Sequence, residues 1–254
     1  MTSQDRDHAR RLALDLAANA TAGVGCVTTW FNHHSALQSM QAAVPVQDFD
    51  LLGIDGKFLG SLLHGHVPRT SADLMLPLLL DEAGPLRIAL IGSTDDMLEG
   101  VAARVEADGR HTVVIKKNGY SHLPPPEALR SHLLEACVQL VILGLGSPMQ
   151  DQYAIALRSP AVVIVTCGGW LDQFAHGNYY PICTYALRLN WLVRLMKEPR
   201  RLWRRYTIGA VRALLARRDL TAYIQQQGAR PYEAMLAVTS GVEAADTDTG
   251  RRAC

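Results

Sequence analysis

The sequence has little of several things, and each lack removes a class of protein. Its 254 residues include only five cysteines, Cys26, Cys137, Cys167, Cys183 and Cys254, with no CxxC pair and no zinc-like spacing. Disulfides and structural zinc are therefore not expected, and the thiols read as reduced core residues of a cytosolic protein. Charge of one sign is also missing. The 25 Lys and Arg against 24 Asp and Glu leave a formal net charge of +1, which argues against a surface that binds nucleic acid all over. The longest apolar runs, around Val138 to Leu145 and Ala161 to Leu171, fall short of the roughly 18 to 20 residues that span a bilayer, so membrane contact is expected to be peripheral. The start, Met1 to His8, is polar and carries two acids, unlike a secretory signal, and no export is expected. Neither a Walker A nor a GxSxG sequence occurs.

What is there is the balance of a folded chain, 48% hydrophobic and 19% charged, long enough for one large domain or a domain with an appendage. Short β-branched runs at Val24 to Thr29, Phe49 to Ile54, Arg87 to Ile91, Thr112 to Lys116, Gln139 to Leu143 and Ala161 to Thr166 alternate with helical spacing at Ala72 to Leu80, Met97 to Ala107, Pro126 to Ala136 and Gln150 to Arg158. Such alternation predicts an α/β fold, Rossmann-like, with a mainly parallel sheet flanked by helices. Ligands of such sheets bind beyond the carboxyl ends of the strands. The loops at Ile54, Gly92, Gly144 and Gly168 are the places to look.

From about Arg188 the pattern turns helical without strands, and Pro199 suits the first turn of a new helix. Between Arg188 and Arg218 ten Lys or Arg face one acid, Glu198. This hidden basic stretch interleaves Arg194, Lys197, Arg200, Arg201, Arg204 and Arg205 with Leu195, Met196, Leu202, Trp203 and Tyr206. A helix of that composition can lay its apolar side into a lipid interface while its cations meet anionic headgroups, although RNA would use the same charges. The expected division is an α/β catalytic domain over 1–187, a basic helical C-terminal appendage over 188–232 and a frayed tail over 233–254.

Several constellations offer chemistry. Asp55 leaves a predicted strand between Gly53 and Gly56, where it can act as a general base or merely build a tight turn. The run Gly144-Leu145-Gly146-Ser147-Pro148-Met149-Gln150-Asp151 joins a strand to a helix, and a helix N-terminus with its unpaired N–H groups suits a diphosphate. It is half of a GxGxxG fingerprint and reads equally well as a plain turn. Gly168-Gly169-Trp170-Leu171-Asp172 repeats the theme after the next strand. Asp48 and Asp50 have the spacing of a DxD metal site, but they enter a predicted strand. His33, His34, His64 and His66 lack a diagnostic metal spacing and read as solvated side chains.

Taken in order, these motifs resemble the WecG/TagA/CpsF family of glycosyltransferases from about Val24 to Tyr206. The carrying residues are Asp55-Gly56, Arg69 to Leu74, Ile91-Gly92, Asn118-Gly119-Tyr120, Gly144 to Asp151, Gly168 to Asp172, and Asn190 to Arg194 continuing through Glu198 to Tyr206. The resemblance implies an inverting enzyme that needs no metal and no cofactor, and that moves N-acetylmannosamine or a related hexose from a UDP donor. The implied acceptor is a sugar on a polyprenyl diphosphate at the cytoplasmic face of the bacterial inner membrane, in polysaccharide biosynthesis. Asp55 takes the base position. Thr29, Asn32, Arg69, Asp73, Gly92, Tyr120, Gly144, Gly146, Gln150, Asp151, Gly168, Gly169 and Asp172 fall in the donor region, with Thr28 competing for the role of Thr29. Arg194, Arg201, Arg204 and Arg205 would meet diphosphate or membrane. No nucleic-acid partner is implied, and a homo-oligomer is left open. Asn190, Met149 and the stretch His176 to Pro181 depart from the family pattern, so the identity of the sugar does not carry over. Two other classes compete: a nucleotide-cofactor enzyme of the NAD type, and a non-catalytic binder of membrane or RNA.

Overall fold

In the computed structural model, residues 3–63, 70–121, 123–176 and 207–226 are the ones described. Six strands form one sheet: β1 (Cys26–Phe31), β2 (Leu51–Ile54), β3 (Arg87–Gly92), β4 (Thr112–Lys117), β5 (Leu140–Gly144) and β6 (Val163–Thr166). Every pairing is parallel, and the order across the sheet is β2-β1-β6-β5-β3-β4. The expected α/β architecture is therefore present, with strand starts and ends displaced from the expected ones by no more than two residues. The central strands are buried on both faces, as their unbroken Val, Ile and Leu runs require of a parallel sheet.

Period-2 alternation divides the strand side chains between two cores. Ile88, Leu90, Leu140, Ile142, Val163 and Val165 face one side. There they meet α1 (Ser3–Ala22), α4 (Ala72–Glu82), α5 (Asp95–Val105) and α8 (Trp170–Ala175). The alternate residues Ala89, Ile91, Val141, Leu143 and Ile164 face the other side and pack on α6 (Pro126–Glu135) and α7 (Met149–Ala156). Both α1 and α2 (His33–Gln41) go beyond the helices read from the sequence. Leu12, Leu16 and Ala20, one turn apart on α1, are all buried, and α1 packs along α4.

A third cluster joins the end of β1 to the C-terminal helices. Phe31, Ala36, Leu37, Val46 and Ile54 pack with Leu59 of α3 (Lys57–Leu62). The same cluster takes in Ala213 of α9 (Ile208–Leu215) and Leu220 and Tyr223 of α10 (Arg217–Gln225). Tyr223 also donates its hydroxyl to the Val44 carbonyl at 2.9 Å. The helices at 208–225 are thus built into the α/β body through α2. The expected domain boundaries at 187 and 232, the helix start at Pro199 and the tail lie outside the described residues.

Candidate functional site

All the strands run the same way, so the six loops that follow them share one edge of the sheet. Asn32 follows β1, Asp55 follows β2, Ser93 follows β3, Asn118 follows β4, the Gly144-Leu145-Gly146 bend ends β5, and Gly168-Gly169 follows β6. Thr70 belongs to this edge too, because its Oγ1 would stand 2.9 Å from a Cβ on Gly53 of β2. Asp73 lies in the first turn of α4, just beyond it. Short connections to helices on opposite faces leave a crevice above such an edge, where these folds take their ligands.

Backbone crowding defines the middle of the crevice. A Cβ on Gly92 would stand 2.2 Å from the Gly144 carbonyl oxygen, and one on Gly144 would stand 2.7 Å from the Gly168 carbonyl oxygen. The ends of β3, β5 and β6 therefore close on one another in a way that a larger residue would prevent. Ser93, which follows Gly92, has φ +53°, a left-handed conformation that is costly for a residue with a Cβ. It is held by a short hydrogen bond from its Oγ to Asp172 Oδ1 on α8. Asp172, placed by its motif in the donor region, is thus engaged in tying the β3 and β6 bends together. Ser93 was not singled out from the sequence, although its position directly after a strand-end glycine marked it. Asn118 accepts the backbone N–H groups of Tyr120 and Ser121 at 2.8 and 3.2 Å, which folds the β4 loop back and leaves Tyr120 80% exposed at the rim.

Beneath the β5 bend lies a buried carboxylate. Asp151, in the first turn of α7, is 0% exposed. Its Oδ1 accepts from Thr29 Oγ1 at 2.7 Å, its Oδ2 from Ser39 Oγ at 2.8 Å, and Thr166 Oγ1 donates to Thr29 Oγ1 at 2.8 Å. Burial raises the Asp151 pKa above the usual carboxyl value, and the Thr29 and Ser39 hydroxyls partly offset that rise. Ser147 Oγ also lies near enough to lower it, but by distance and angle it makes no hydrogen bond, so two hydroxyl donors serve this carboxylate rather than three. Gln150, 4% exposed, accepts the Gly146 N–H through Oε1 at 3.3 Å. In this arrangement Thr29, Gln150 and Asp151, expected in the donor region, hold the bend from inside rather than line its mouth. Thr28 points to the other face and donates to the Ile164 carbonyl at 3.2 Å.

On the β2 side, parallel register sets Phe31 beside Ile54, so Asn32 and Asp55 leave their strands as neighbours. The Asp55 N–H donates to the Phe31 carbonyl at 2.7 Å, which fixes its backbone, and its side chain is half-buried. Gly56 follows at φ +95° and starts α3. Asn32 caps α2: its Oδ1 accepts from the N–H groups of His34 and Ser35, while Ser35 Oγ accepts from the Asn32 N–H. Neighbouring parallel strands lie about 4.8 Å apart, which puts roughly 10 Å between the Asp55 side of the crevice and the β6 bend.

The reading of His33 needs correction, and the pair Asp48 and Asp50 has a role of its own. Asp50 Oδ2 accepts from Arg158 Nη1 at 2.8 Å and from the Val27 N–H at 2.7 Å, while the Asp48 carbonyl accepts a short bond from Arg158 Nη2. These residues precede β2, at the sheet edge opposite the crevice, and they clamp the chain there, Asp50 through its side chain and Asp48 through its carbonyl. Among the described residues no group of three or more metal-ligating side chains is assembled. His33 is not solvated: it is buried and meets the Phe58 ring edge-on at 5.1 Å. Cys26 and Cys167 are buried free thiols, and burial pushes Cys26 up to about 12, which leaves it inert as a nucleophile. Arg69, Arg194, Arg201, Arg204, Arg205, His64 and His66 lie outside the described residues.

No helix among the described residues is long and apolar enough to cross a membrane. On α9, Gly209 and Ala213 face the body, while Ile208, Val211, Leu214 and Leu215 are 48%, 57%, 55% and 81% exposed. The sequence model of the glycosyl transferase WecG/TagA/CpsF family matches residues 6–225 of the chain.

Proposed function

The chain belongs to the WecG/TagA/CpsF family of glycosyl transferases, and from that premise we propose that it moves an N-acetylmannosamine-like hexose from a UDP-sugar to a sugar carried on a polyprenyl diphosphate, in bacterial cell-surface polysaccharide biosynthesis. Membership in this family sets aside the NAD-type enzyme and the non-catalytic binder. The observation that carries the finer reading is a shared edge: Asp55 and the crowded bends of β3, β5 and β6 open on one crevice.

The reaction is a single displacement. Asp55 accepts the proton of the acceptor hydroxyl while that oxygen attacks the anomeric carbon from the side opposite UDP. The bond to the diphosphate oxygen breaks and the anomeric configuration inverts. A positioned base contributes about 10²–10⁴-fold. Charge growing on the departing diphosphate needs at least as much help, and the first turn of α7 with the backbone of the glycine bends is suited to supply it. The roughly 10 Å from the Asp55 side of the crevice to the β6 bend, with the β5 bend one strand further on, leaves room for a sugar ring between base and diphosphate. Arg194, Arg201, Arg204 and Arg205 would add positive charge from the basic stretch in place of a divalent ion. The expected place of work is the cytoplasmic face of the inner membrane, and the exposed apolar ridge of α9, with the exposed Arg212 on the same helix, supports peripheral docking there.

The decisive experiment is a donor screen with a soluble GlcNAc-diphosphate-lipid analogue, read by mass spectrometry. One product heavier by a hexose or acetamidohexose is expected. Hydrolysis without transfer, or no product with any UDP-sugar, would count against the reading.

A further inference from the structure

Asp151 is an expensive residue to place where it is. A carboxylate with no exposed surface is retained in a core only when its oxygens are well served, and here each oxygen has one hydroxyl donor, from Thr29 and from Ser39. Those donors belong to different elements. Thr29 lies on β1, Ser39 on α2, and Thr166, which donates to Thr29, on β6. Asp151 itself begins α7, and the residue before it, Gln150, holds the Gly146 N–H of the β5 bend. A neutral apolar side chain would fill the same space without the cost of desolvation. The charge gains nothing from solvent, and what it does provide is direction: both hydroxyls must point at one place for the carboxylate to be tolerated.

We infer that Asp151 is a positioning residue, an internal brace that fixes the first turn of α7, and with it the β5 glycine bend, against β1 and α2. It touches no substrate. It acts through Gln150 and Gly146, so its influence falls on whatever binds at that bend. This inference rests on the reading that the bend seats the donor diphosphate. It assigns to Ser39, which no motif marked, and to Thr29 the same indirect duty. The binding of an anionic group at a helix N-terminus depends on where its N–H groups point, and a bend released from the brace would present them less well. The acceptor meets Asp55, across the crevice, and should not feel the change.

The test uses the full chain and four variants: Ser39→Ala, Thr29→Val, Asp151→Ala and Asp151→Asn. Each single hydroxyl loss is expected to raise the donor KM about fivefold, the size of one net hydrogen bond, with acceptor KM unchanged. Asp151→Ala is expected to raise it further, and Asp151→Asn to recover most of the loss, because a carboxamide still accepts from Thr29 and can donate to a Ser39 hydroxyl turned round. A purely structural role predicts a different pattern: a lower melting temperature and a smaller active fraction, with donor KM equal to that of the wild type. That result would overturn the brace. Hydrogen exchange across residues 144–150 gives a readout independent of catalysis. Faster exchange in Ser39→Ala is expected, and wild-type exchange there would also overturn the proposal. Calorimetry of UDP with the wild type separates the two readings. No UDP binding would remove the donor assignment of the bend, while the exchange experiment would still decide whether Asp151 braces it.

Discussion

Gly144 and Gly168 lie so close that a Cβ on the first would stand 2.7 Å from the carbonyl oxygen of the second, with Leu171 Cδ1 and Cys167 Sγ at 3.0 and 3.1 Å. Gly144→Ala therefore has to push backbone, not a flexible side chain. We expect it to cost about 1–3 kcal/mol in chemical denaturation and to weaken UDP binding measured by calorimetry. Gly84→Ala, at a position where a Cβ meets nothing within 4 Å, is the control and should change neither.

Asp55→Asn should fold with an unchanged melting temperature and bind UDP as the wild type does, but lose about 10²–10⁴-fold in turnover. Pre-steady-state and steady-state rates with the same donor check this. Turnover within a few-fold of wild type would take Asp55 out of the base role.

Asp50→Asn should lower stability by about 1 kcal/mol, the size expected for a partly exposed ion pair and one charge-assisted hydrogen bond, because it weakens the links to Arg158 and Val27. Its transfer rate should stay at the wild-type level, and a chelator should leave both rates intact. Strong chelator inhibition that the Asp50→Asn change abolishes would restore the metal reading of Asp48 and Asp50.

Replacing the exposed ridge of α9 with acids, as Val211→Asp with Leu215→Asp, should reduce sedimentation with anionic vesicles several-fold while leaving the melting temperature in place. Removing the C-terminal helices outright is a poorer experiment. Ala213, Leu220 and Tyr223 share a core with Phe31 and Leu37, so deletion exposes the interior.

The raised pKa of Asp151 has a sign that can be measured. The folded state holds this proton more tightly than the unfolded chain does. The corresponding stability is fully present below the ordinary carboxyl value of 3.8 and is lost as pH rises through the raised folded value. The Asp151→Asn variant does not carry this loss. Its melting temperature relative to wild type should rise from acid towards neutral pH, and a difference that stays flat across that window would contradict the burial argument.

Much of the crevice was legible because it depends on local order along the chain. Six β-branched runs alternating with helical spacing specify a parallel sheet, and a parallel sheet puts Asp55, Gly92, Gly144 and Gly168 on one edge without further information. The same rule separates the DxD spacing from the crevice. Asp48 and Asp50 come before their strand, which assigns them to the opposite edge. His33 and His34 read as solvated side chains because the helix that Asn32 caps was not read from the sequence, and that helix buries His33. What could not be read was which distant side chains meet. Thr29 and Asp151 are 122 positions apart and Ser39 and Asp151 are 112 apart, and their contact depends on which way one strand residue points and where two helices cross.

The order of the sheet also has a consequence for traffic. Among the described residues β2 is the outermost strand on its side, with β1 as its sole sheet neighbour, and Asp55 directly follows it. On the proposed reading, an anchored acceptor that came alongside that flank would present its hydroxyl without passing over the seat of the nucleotide. The two reactants would then have separate doors, and spent nucleotide could leave by one while the lengthened lipid product leaves by the other.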